Sequence, residues 1–91
     1  MTSKFLDLLK QIGGGVVIYE PFRRDPQGML EFQDTVHRLQ EMERLGLVGR
    51  LFLQKRAGRD EGYIDLVAIQ GGLTAEGQRL LNEESIRAQI E

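Results

Sequence analysis

The 91-residue sequence contains no cysteine, which excludes a disulfide framework and any zinc or iron-sulfur site with thiolate ligands. It has a single histidine, His37, and two serines, Ser3 and Ser85, both near the termini and neither in a Gly-x-Ser-x-Gly setting. A nucleophile activated by a neighbouring base has no local support, so no enzyme is expected. The longest strictly apolar stretch, Val16 to Tyr19, is far short of the roughly 20 residues that span a bilayer. Near the start, Asp7 and Lys10 interrupt Phe5, Leu6, Leu8, Leu9 and Ile12, so no signal-peptide core can be drawn and a cytoplasmic location is the expectation. Gly13, Gly14 and Gly15 precede the apolar run and are not followed by Gly-Lys-Ser/Thr, which makes them a linker rather than a phosphate loop. The adjacent acids Glu83 and Glu84, and Asp60 and Glu61, read as solvated surface. No metal and no cofactor are expected.

What the chain does have is balanced: 12 Lys and Arg stand against 14 Asp and Glu, and 41% of the residues are hydrophobic. That describes one mildly acidic domain over residues 1–91. A chain of this length buries roughly 60–65% of the surface its unfolded state exposes. A modest core follows, in a marginal monomer or a dimer.

Ser3 or Thr2 can cap a first helix over about residues 3–12, and Val16–Tyr19 then forms a short β-branched and aromatic strand, the third member of a small sheet. Asp25-Pro26 is an N-cap and first-position pair. Between it and Gly46, the residues Met29, Phe32, Val36, Leu39 and Met42 recur at spacings of three and four. That pattern suits one continuous helix or two helices jointed at Asp34-Thr35, the second being an amphipathic rod over residues 35–45. Beyond Gly46 the period alternates, giving strands over about 47–56 and 62–70 around a turn at Ala57–Asp60. A register with Arg56 opposite Glu61 sets Leu51 opposite Leu66 and Leu53 opposite Ile64 on one face. The other face then carries Val48, Phe52, Val67 and Ile69 among Arg50, Gln54 and Asp65, more apolar than solvent requires. Leu73 and Thr74 provide an apolar lead and an N-cap for a last helix to about residue 89. On that helix Leu80, Leu81 and Ala88 share one side and Ala75, Ile86 and Ile90 another, so the second patch either meets a partner or frays.

The order helix, strand, helix, strand, turn, strand, helix resembles a winged helix-turn-helix domain of the α+β class. The segment from Thr35 to Val48, with Leu39, Met42, Gly46, Leu47 and Val48 in place, resembles the recognition helix and exit of bacterial winged-helix regulators. The stretch Leu73-Thr74-Ala75-Glu76-Gly77-Gln78-Arg79-Leu80-Leu81 is similar to the Leu-Thr-x-x-Gly-x-x-x-Leu start of the last helix in PadR-like and MarR-like proteins. The resemblance implies a homodimeric transcriptional regulator that binds double-stranded DNA. It would place helix 34–45 in a major groove and a hairpin wing against the minor groove or the phosphates.

Phosphate neutralisation leaves a basic footprint, and the segments differ. Residues 1–20 carry no net charge, 21–60 carry +2 and 61–91 carry −4. On the helix, the face opposite Phe32, Val36 and Leu39 displays Asp34, His37, Arg38, Glu41 and Arg44, whose charges cancel. Asp34 precedes Arg38 by four residues and Glu41 precedes Arg44 by three, spacings that favour ordinary intrahelical pairs over direct base contacts. His37 is explained equally by a base contact and by simple surface residence. Arg23 and Arg24 either touch backbone phosphate or solvate a loop. Lys55, Arg56 and Arg59 flank the wing tip and are the better match to a polyanion, with ordinary hairpin solubility as their bland alternative. The leading expectation is a DNA-binding winged helix using Arg23, Arg24, His37, Arg38, Arg44, Lys55, Arg56 and Arg59. The alternative is a winged-helix protein-interaction module without DNA binding. In that module Val48, Phe52 and Ile69 on the sheet contact a partner, while Ile86 and Ile90 lie on the last helix, through which dimerisation, with or without the first helix, is expected.

Overall fold

The period changes along the chain resolve into six elements: helix α1 (Leu6–Gly13), strand β1 (Ile18–Tyr19), helix α2 (Pro26–Arg44), strands β2 (Val48–Lys55) and β3 (Ile64–Leu73), and helix α3 (Ala75–Ile90). The computed structural model describes residues 5–23, 25–55 and 64–90, with 88–90 as backbone only. Among the described residues, three helices and one three-stranded antiparallel sheet make the fold α+β. Among the described residues no helix is long and apolar enough to cross a membrane.

Helix α1 buries Leu6, Leu8, Leu9 and Ile12 and starts at Phe5, which offers no side-chain cap. The expected caps Ser3 and Thr2 lie outside the described residues. Helix α2 begins as its sequence dictates, with Pro26 in the first turn and the Gly28 N–H donating to Asp25 Oδ1 at 2.7 Å. It runs without interruption through Asp34 and Thr35, so there is no turn between two helices there. The cause is the apolar stripe, since Met29, Phe32, Val36, Leu39 and Met42 are all buried and a turn at residue 34 would rotate Val36 out of the core. The helix stops at Gly46, whose φ of 78° lies in the left-handed region. Here the Gly46 N–H donates to the Glu43 carbonyl at 3.0 Å and the Leu47 N–H to the Met42 carbonyl at 2.9 Å, satisfying two helix-end acceptors.

The strand order is β1-β3-β2, so the last strand is central. Ile18 pairs with Ala68 and Tyr19 with Val67, while Leu51 pairs with Ile69, Phe52 with Ala68 and Leu53 with Val67. The hairpin register therefore differs from the expected one: Leu51 lies opposite Ile69, three residues further along β3 than Leu66. An odd shift exchanges the faces of β3, which turns Val67 and Ile69 inward. Irregularities between Val48 and Arg50 and between Gln54 and Lys55 accommodate the change.

Val67 and Ile69 join Leu9, Val36, Leu39 and Met42 in one cluster, with Phe5, Ile12, Phe32, Leu47 and Val48 around it. Each fully buried aliphatic side chain of this kind contributes about 1.5–3 kcal/mol through removal from water. The opposite face of the sheet carries Ile18, Ala68 and Phe52 in one cross-strand row, and Ile18 and Phe52 are 57% and 54% exposed.

Candidate nucleic-acid interface

The two arginines of α2 are each paired along the helix. Arg38 Nε lies 3.5 Å from Asp34 Oδ2, and Arg44 Nη2 lies 3.6 Å from Glu41 Oε1. These are the two intrahelical pairs expected from the Asp34-to-Arg38 and Glu41-to-Arg44 spacings, on partly or fully exposed side chains, where such contacts contribute about 0–1 kcal/mol. His37 stands exposed between them. Arg23, on the loop before α2, has Asp25 and Glu31 each at 3.9 Å. Every described arginine of this surface is thus matched by a carboxylate. Arg24 lies outside the described residues.

Between α1, β1 and α2 the surface forms an open groove of about 500 Å³ whose lining includes Asp7, Tyr19, Phe22, Arg23, Glu31 and Arg38. Phe22 on its rim is fully exposed. The Tyr19 hydroxyl donates to Gln11 Oε1 at 2.9 Å, and burial of the ring raises its pKa above the ordinary 10.0.

Strand β2 is different in charge. From Arg44 to Arg59 the sequence has Arg44, Arg50, Lys55, Arg56 and Arg59 and no acidic residue. Arg50 and Lys55 are exposed and have no carboxylate partner among the described residues, while Arg56 and Arg59 lie outside them. The Arg50 guanidinium carbon sits 5.9 Å from the centroid of the Phe52 ring, a loose cation-aromatic contact near the outer limit of that interaction. Alternation places Arg50, Phe52 and Gln54 on the outer sheet face, opposite Gln70, Ala68 and Leu66 respectively.

Of the apolar residues expected to meet a partner, Val48 and Ile69 are core residues, 3% and 4% exposed, Ile69 turned inward by the observed register and Val48 by the irregularity between Val48 and Arg50. Phe52 remains on it, and Ile86 on α3 is 58% exposed. The side chain of Ile90 lies outside the described residues.

Three site-shaping residues escape a reading of sequence periodicity. Gln33 and Glu43 on α2 hydrogen-bond backbone groups of β3 and β2 across the fold, and no local pattern signals either contact. Arg50 had a visible signal, the absence of acids from residue 44 to residue 59. No protein-family model, curated protein or solved structure matches the chain.

Proposed function

We propose that this chain is a small winged-helix-like nucleic-acid-binding domain, with a regulatory role in transcription, that grips phosphates through its hairpin rather than reading bases with α2. The observation that carries this reading is the acid-free run from Arg44 to Arg59, in which Arg50 and Lys55 are exposed and have no carboxylate partner among the described residues. The helix, strand, helix, hairpin, helix order supports the winged-helix part. The continuous α2 and its internal ion pairs favour the wing over the helix as the proposed contact. Arg23, His37, Arg38 and Arg44 then become secondary contacts whose weak ion pairs open when a phosphate competes.

Fluorescence anisotropy of labelled duplex DNA, titrated with the purified chain at low and near-physiological salt, tests it. Affinity that falls steeply with salt supports phosphate contacts. Absence of binding at low salt removes the reading.

A second reading, a homodimer formed through α3, is favoured by the exposed Ile86 on a helix whose Leu80 and Leu81 already pack on the core. Light scattering that gives a dimer mass for the wild type and a monomer mass for Ile86→Asp supports it. A monomer mass for the wild type ends it.

A further inference from the structure

We propose that the exposed ring of Phe52 is a stacking platform for an unpaired base, so that the outer sheet face takes single-stranded nucleic acid. This rests on the nucleic-acid reading above and names the form of ligand that the β2 surface prefers.

The first argument is shape. Phe52 stands on β2 opposite Ala68 on β3, with Ile18 on β1 beyond it, giving a row of large, small and large side chains. Adjacent strands are about 4.8 Å apart, so the two large residues flank a shallow apolar trough about 10 Å wide over the central strand. A flat heterocycle laid against the Phe52 ring is supported from below by Ala68 and bounded by Ile18. With the ring 54% exposed and the face left uncovered by the three helices, a base reaches it without any rearrangement of the fold.

The second argument is charge and hydrogen-bonding capacity. Arg50 is two residues from Phe52 on the same face, and its 5.9 Å approach to the ring is loose enough for the guanidinium to pivot to a phosphate. Exposed Lys55, opposite Ile64 beyond the irregularity after Gln54, adds a cation at the end of β2 rather than on the Phe52 face, and no acid interrupts β2. Gln54 and Gln70, both exposed and both on this face, each present amide donors and an acceptor to base edges. An aromatic ring between cations and amides is the combination by which single strands are held, the ring engaging the base and the cations the backbone. In a duplex the bases are stacked on each other, so only the cations of this surface find a partner. Phe52 is therefore the residue that separates single from double strands.

The test compares a labelled oligothymidylate with a mixed-sequence duplex of equal length by anisotropy at low salt, using the wild type, Phe52→Ala and Phe52→Trp. Circular dichroism melts of each variant confirm that the fold is retained. Phe52→Ala is expected to weaken oligothymidylate binding between about 5- and 150-fold, the equivalent of about 1–3 kcal/mol for one stacked base, and to leave duplex affinity within about twofold. Phe52→Trp is expected to restore single-strand affinity. The chain contains no tryptophan, so that variant carries one indole, whose emission is quenched when a base stacks on it. Equal weakening toward both nucleic acids, or no quenching in a Phe52→Trp variant that binds, overturns the stacking role while leaving the phosphate-binding reading in place. Absence of binding to either nucleic acid overturns both. Self-association abolished by Phe52→Ala then identifies the face as a contact between copies of the chain.

Discussion

Gln33 on α2 holds Ile64 at the start of β3 by both ends of its side-chain amide. Its Nε2 donates to the Ile64 carbonyl at 2.8 Å, and its Oε1 accepts the Ile64 N–H at 3.1 Å. One side chain thus supplies the pair of bonds that a neighbouring strand would otherwise make, and it fixes where the central strand begins. Gln33→Ala leaves both backbone groups to find water in a partly buried setting and is expected to cost about 1–3 kcal/mol. Urea unfolding checks this through a lower midpoint at unchanged slope. An unchanged midpoint means the amide clamp adds nothing.

Glu43 does a related job on the free edge of the sheet. Its Oε2 accepts the N–H of Leu51 at 2.7 Å, so a donor that points away from β3 is already occupied. Unguarded edges pair with other edges. Glu43→Ala is expected to produce concentration-dependent association in dynamic light scattering, whereas Glu43→Gln, which keeps an acceptor oxygen, stays monodisperse to the same extent as the wild type.

The two β2 residues Val48 and Phe52 separate core from surface. An aspartate in place of Val48, which is 3% exposed, is expected to destabilise the fold by more than about 3 kcal/mol and lose the cooperative thermal transition. Phe52→Asp, at a site 54% exposed, is expected to shift stability by less than about 1 kcal/mol. Thermal melts followed by circular dichroism distinguish them, and equal loss would place Phe52 in the core as well.

The Tyr19 phenol links stability to alkaline pH. Burial raises its folded-state pKa above 10.0, so the neutral ring is the form that folding favours. The unfolded chain loses this proton first as pH rises. The contribution is complete below the unfolded pKa of about 10 and disappears as pH passes through the higher folded value. Tyr19→Phe is expected to flatten the fall in stability between about pH 9 and 11. Urea unfolding across that interval measures it.

The proposed DNA contact is tested by comparing the arginines of α2 with Arg50 and Lys55 of β2. Because Arg38 and Arg44 sit beside Asp34 and Glu41, Arg38→Gln and Arg44→Gln are expected to leave DNA affinity within about twofold. Arg50→Gln with Lys55→Gln is expected to weaken binding to every sequence and to reduce the salt slope by about 1–2. A larger effect from the α2 variants would return the contact to the helix.

Which features were legible follows from how local their causes are. Asp25-Pro26, Gly46 and Thr74 act within a few residues of themselves, and each marks a helix boundary where its side chain or backbone preference says it must. The hairpin register is decided otherwise. Strand β3 has apolar residues on both faces, Leu66 and Ala68 on one and Val67 and Ile69 on the other, so alternation alone does not choose which pair turns inward. Packing against α1 and α2 chooses Val67 and Ile69. The unbroken α2 is likewise a tertiary result, since Asp34-Thr35 is an acceptable joint until Val36 is required in the core. For the interface, the cations were visible as residue types. Their separation, among the described residues, into matched pairs on α2 and cations without a carboxylate on β2 depends on side-chain geometry.

Thr74 has a consequence beyond capping α3. Its N–H donates to the Leu47 carbonyl at 3.1 Å and its hydroxyl to the carbonyl of Gly46, 28 positions earlier, while the same oxygen accepts the Gly77 N–H. Thr74 therefore ties the root of the hairpin shut beside the Val48–Leu73 strand pair. The ends of such a loop are already held together when its far end changes, and doubling the length of a flexible loop costs only about 0.6 kcal/mol. Evolution, or an engineer, is free to lengthen, shorten or recharge the tip of this hairpin and so retune its reach, with the helical core unaware of the exchange.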